Sequence, residues 1–99
     1  MDYFSILEGE LERISGGRFY KSDLERVKEE IPKMNEEEKN KIKKHIIKGM
    51  RRAIKDYKKL AKDRKRMEIY KEKRDEYSKK IRKLKRDGTV KLEGVILEF

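Results

Sequence analysis

Apolar residues return at steps of three and four along most of this chain, the period of one face of an α-helix. Phe4, Leu7, Leu11 and Ile14 form the first such stripe and predict a helix over residues 2–14. Ser15-Gly16-Gly17 ends it, because glycine takes the left-handed C-terminal conformation at little cost. Ser22-Asp23-Leu24-Glu25 has the hydroxyl-to-carboxylate spacing of a capping box, and Leu24, Val27 and Ile31 then share a face. Phe19-Tyr20 precedes that cap, where a staple-like contact to the helix is expected. Pro32 disfavours a helical conformation at Ile31 and keeps this second helix short.

Asn35-Glu36-Glu37-Glu38 is a stronger start: a capping side chain followed by three carboxylates at the positive end of the helix dipole. No proline interrupts the pattern from there to Asp87-Gly88. Ile42, Ile46, Met50, Ala53, Tyr57 and Leu60 make one stripe; Met67, Tyr70, Tyr77, Ile81 and Leu84 make another. They are out of step by one position around Lys62 to Arg66. An unbroken helix over residues 36–86 would be about 75 Å long at about 1.5 Å per residue, too long for this chain to bury alone. A bend or break near Lys62 to Arg66, or a partner helix, is therefore expected. Gly49 costs such a helix about 1 kcal/mol, which the stripe around it can absorb. After the turn at Asp87-Gly88, residues 89–92 and 95–99 read as two short strands joined through Glu93-Gly94.

The expected fold is mainly α: two short helices, a long basic helix or antiparallel helix pair, and a C-terminal β-hairpin. Residues 1–86 make the helical domain. Residues 87–99 make a short hairpin that packs on it, or the start of a truncated β domain.

Composition narrows the picture. The chain has 99 residues, enough for one domain, with 34% hydrophobic and 51% charged residues. A core that lean needs help, most simply a protein partner or self-association. The absence of cysteine excludes disulfides, zinc–thiolate sites and thiol catalysis. No apolar run approaches a membrane span and the first residues are acidic, so a cytoplasmic protein is expected. The net charge of +10 is uneven: residues 1–38 carry 6 basic and 11 acidic side chains, and residues 39–86 carry 23 against 6. A basic rod with acidic ends attracts phosphate backbones or an acidic protein face.

The candidate binding residues crowd the middle of that rod: Arg51, Arg52, Lys55, Lys58, Lys59, Lys62, Arg64, Lys65 and Arg66. Such a surface binds nucleic acid by releasing counterions, with steep salt dependence; otherwise it is a solvated face. No motif for reading bases accompanies it. Tyr57, Tyr70 and Tyr77 fit a helix seam with hydroxyls at its rim better than a stacking platform. His45, the one histidine, sits among lysines, without the ligands of a metal site or the partners of a general base. Glu8, Glu10 and Glu12 are spaced so that neighbours do not face each other on a helix. No nucleophile–base pair occurs, and no catalytic residue, cofactor, metal or small-molecule substrate is expected.

Leu11-Glu12-Arg13-Ile14, the pair Phe19-Tyr20, the apolar Leu24, Val27 and Ile31, and the long basic stretch after them resemble the start of a GINS subunit of the archaeal and eukaryotic replication apparatus. The resemblance implies a non-enzymatic helical subunit that assembles with sister subunits and bridges helicase, primase or polymerase. The functional expectation is thus a helical assembly subunit in nucleic-acid metabolism, associating through the two apolar stripes. The alternative is a free-standing dimer that binds DNA or RNA by charge without sequence choice.

Overall fold

A computed structural model describes residues 3–99; Asp2, counted into the first helix by its period, lies outside the described residues. The chain forms α1 (Tyr3–Ile6), α2 (Glu8–Ser15), α3 (Lys21–Glu30), α4 (Glu36–Leu60), α5 (Arg64–Asp87) and two strands, β1 (Thr89–Leu92) and β2 (Val95–Glu98). The mainly α class with a C-terminal hairpin is as the periodicity predicts. Among the described residues no helix is long and apolar enough to cross a membrane.

Asn35 realises its start signal in full. The Glu38 N–H donates to Asn35 Oδ1 at 2.9 Å, and the Asn35 N–H donates to Glu38 Oε1 at 3.1 Å, a reciprocal capping box. The box expected at Ser22 does not form. There the helix starts two residues earlier, behind Tyr20, whose side chain makes no cap bond. Asp23 turns instead to Arg13: Nε donates to Oδ2 at 2.7 Å and Nη2 to Oδ1 at 2.9 Å. Asp23 is buried, and this fork-on-fork pair fixes the corner between α2 and α3. Phe19 packs against Tyr77 of α5, ring centres 6.1 Å apart, rather than stapling its own helix, and Tyr20 is exposed. Past Glu30 the chain makes one 3-10 turn over Ile31–Lys33, with Ile31 still in the helical region despite Pro32.

The long helix breaks, and it breaks at Ala61 to Asp63. Asp63 Oδ1 accepts from the Arg66 N–H at 2.8 Å and caps a new helix. The greatest extent of the molecule is 48 Å, well short of an unbroken rod, because α5 turns back along α4. The two stripes do not bury equally along this helical hairpin. Ile42, Ile46, Met50 and Ala53, with Tyr77, Ile81 and Leu84, are buried, and Ile47 joins them. No residue from Ile54 to Glu76 is buried. Tyr57 and Tyr70 are half-buried, while Leu60 and Met67, placed in the seam by their period, are exposed, Leu60 by 60%. The reason is coverage: only the base half of the hairpin meets other elements. The α1–α2 segment lies along the first half of α4, the strand pair packs on α5 and α3, and the far half projects as a tip.

Gly49 explains how α2 comes so close. A Cβ built on Gly49 would fall on the carbonyl oxygen of Ile14 and lie 2.9 Å from its carbon. Just beyond, α2 ends in a Schellman motif. Arg18 N–H donates to Arg13 O, Gly17 N–H donates to Ile14 O, and Gly17 carries the left-handed φ of +85°. Gly17 then sits against Gly49 and Ala53, so the helix-breaking turn is seated on the helix it crosses.

The hairpin register pairs Val90 with Leu97 and Leu92 with Val95, all facing the core, while Lys91 and Ile96 face outward. Both turn residues, Glu93 and Gly94, have positive φ, as a tight two-residue hairpin turn requires. The inward residues belong to the same apolar cluster as the helices.

Gly49→Ala gains helix propensity worth about 1 kcal/mol but drives a methyl into backbone that cannot swing aside, a cost of about 1–3 kcal/mol or more. Thermal unfolding followed by circular dichroism is expected to show a lower Tm for Gly49→Ala than for wild type. An unchanged or raised Tm would contradict this close approach.

A candidate nucleic-acid interface on the helical hairpin

All nine predicted basic residues are exposed; Arg51 and Arg52 lie just before Ala53, and the other seven lie beyond it, toward the bend or at it. The hairpin is what gathers them: the end of α4 supplies Arg51 to Lys59, the bend supplies Lys62, and the first turn of α5 supplies Arg64 to Arg66. Between Arg51 and Arg66 there are only two acids, Asp56 and Asp63. Arg52 Nε lies 3.3 Å from Asp56 and Arg66 Nε 3.6 Å from Asp63. Arg51, Lys55, Lys58, Lys59, Lys62, Arg64 and Lys65 make no ion pair with any described residue.

The two helix ends at the bend differ electrostatically. Lys58 and Lys59 occupy the last turn of α4, where the helix dipole favours cations. Arg64, Lys65 and Arg66 occupy the first turn of α5, which carries no acid and where the dipole disfavours them. Each such placement costs about 0.3–1 kcal/mol at a surface and is relieved when an anion binds beside it. Farther along α5, Lys73 and Lys80 reach Glu76, Arg74 reaches Asp75 and Arg86 reaches Asp87, while Lys71, Lys79, Arg82, Lys83 and Lys85 pair with no acid among the described residues.

Apolar side chains are also exposed at this end. Leu60, Met67 and Ile69 are all exposed, and Tyr57, Leu60, Arg66 and Ile69 line a shallow hollow of about 330 Å³. Tyr77 is buried, and burial above all pushes its phenol up to about 12, so it stays neutral. Tyr70 carries Arg74 over its ring, 5.6 Å from the centre.

His45 lies at the edge of the core beside Phe4, ring centres 5.9 Å apart. Its Nδ1 is buried with no hydrogen-bond partner among the described residues. Burial first, and then the charge of Lys48, lower its pKa from the ordinary 6.5. The described residues contain no group of three or more His, Asp or Glu placed to hold a metal ion. Glu10 is turned toward Arg26 at 3.4 Å.

No protein family, no curated protein and no solved structure matches this chain. None of these comparisons supports the resemblance of the helices and the long basic stretch to the start of a GINS subunit.

The depressed pKa of His45 ties stability to pH. The native state takes up this proton less readily than the unfolded chain, so stability contributed by neutral His45 is lost as pH falls below about 6.5. Urea midpoints measured at pH 7 and pH 5 are expected to fall less for His45→Gln than for wild type. Parallel losses in the two proteins would contradict the partial burial of the neutral imidazole.

Proposed function

We propose that this protein is a non-catalytic helical assembly module that lays its hairpin on the phosphate backbone of nucleic acid. The reading is carried by the seven exposed cations between Arg51 and Lys65 that pair with no acid among the described residues. A merely solvated face on a protein this rich in charge is interlaced with acids, as the middle of α5 is. Three cations at the dipole-disfavoured end of α5 fit an anionic ligand and weaken the isolated fold.

Leu60, Met67 and Ile69 support assembly with another protein at the tip. The base half buries its own core from five helices and a strand pair, so folding does not call for a second copy, which favours the module over an obligate dimer. Association with a replication complex of GINS type is one setting in which such a module would act.

The binding is by charge, so its signature is ionic strength. Gel shifts on a short duplex are expected to show affinity falling steeply with salt, the logarithmic slope growing by about 0.9 for each phosphate contacted. Changing Arg51, Arg52, Arg64 and Arg66 together to Glu is expected to abolish the shift at a salt concentration where wild type binds. Absence of binding by wild type at low salt would overturn the proposal.

A further inference from the structure

The cations on α4 do not end at Arg51. Lys44, Lys48, Arg51, Lys55 and Lys58 follow one another at steps of four, three, four and three, which places all five on one flank of the helix. All five are exposed, and none forms an ion pair with a described residue. The ion pairs that α4 does make use Lys39 and Arg52, which lie off this stripe, and Lys41, one step before Lys44, where the stripe meets Glu37. At its base end the stripe becomes concave. Two adjoining hollows of about 360 and 330 Å³ share Lys44, Ile47 and Lys85 of α5; the first adds Lys48 and Arg51, and the second adds Asn40 and Lys43. Neither hollow is lined by a carboxylate.

We infer that this flank is a track for a duplex backbone, running from the Lys44–Lys48–Lys85 hollow through Arg51 and Lys55 to Lys58. It deepens the function proposed above and rests on it. The stripe from Lys44 to Lys58 covers about 21 Å at about 1.5 Å per residue. That length suits a run of successive phosphates and is far more than one free phosphate can occupy. No aromatic side chain lines the hollows, so the stacking that holds single strands is missing and double-stranded nucleic acid is the fitting ligand. Nucleic acid thus lies along the hairpin, from the hollow at its base toward the bend. The apolar tip stays available to a protein partner.

The test replaces Lys44, Lys48 and Lys85 together by Gln and, as a control of equal charge change, Lys21, Lys28 and Lys91 by Gln; circular dichroism verifies the fold of each. Single substitutions Lys48→Gln and Lys85→Gln on this exposed flank give the same readout one charge at a time. Salt-dependent binding to a short duplex is measured beside a single strand of equal length. The track predicts tighter duplex binding, and a slope reduced by about 0.9 per lysine removed from the flank with little change in the control. Equal losses in both variants, no loss in the flank variant, or preference for the single strand would overturn the track while leaving phosphate binding intact. Absence of wild-type binding would instead remove the underlying function.

Discussion

The backbone of Ile14 lies on α4 where residue 49 has no side chain, and the arrangement of the molecule follows from that contact. A helix can come this near another only across glycine, and the approach seats Gly17 against Ala53. With α2 held there, Leu7, Leu11 and Ile14 close over Ile42, Ile46 and Met50, and the Arg13–Asp23 pair sets the direction in which α3 leaves. The strand pair then covers the other end of the core through Val90, Leu92, Val95 and Leu97. All of this lies at the base of the helical hairpin, so the half beyond Ala53 is left without cover.

That division of the hairpin gives the charge its meaning. The amphipathic period continues past Ala53, but side chains such as Leu60 and Met67 have nothing to pack against, and the tip holds itself together through half-buried Ile54, Tyr57 and Tyr70. Cations are spread along the whole length of both helices, yet acids neutralise them unevenly. On α5 the acids at 75, 76 and 87 pair with Lys73, Arg74, Lys80 and Arg86, whereas the row from Lys44 to Lys58 on α4 meets no acid among the described residues. An uncompensated row on a rigid support is a surface that a polyanion can neutralise at little entropic cost to the protein. The fold therefore supplies a stiff base, a cationic flank and an exposed apolar tip in sequence along one axis.

Much of this was legible in the residues. The Asn35 cap, the C-terminal hairpin and its two-residue turn, and the slip in the apolar stripe all mark real boundaries, because each depends on contacts within a few positions. The break falls at the early edge of the stretch where the stripes slip, and its local signal is Asp63, a capping side chain three residues before Arg66. What escaped notice depends on contacts distant in sequence. Ser22 has cap spacing, but Asp23 finds a stronger partner in Arg13, ten residues away. Gly49 reads as a small helix penalty until Ile14 is brought onto it. The depth of the seam could not be read from its period, since the period says which face is apolar and not how far another element covers it. The base end of the cationic row was missed for the same reason: Lys85 joins Lys44 and Lys48 only after α5 turns back.

The account stands on an anchored base and an uncovered tip within one pair of helices, and residue-resolved amide exchange of the free protein measures that difference directly. Slow exchange at Ile46 to Ala53 and Tyr77 to Leu84, with much faster exchange from Lys58 to Tyr70, is the predicted result. Uniform protection along α4 as far as Leu60, or equally fast exchange on both sides of Ala53, would contradict it.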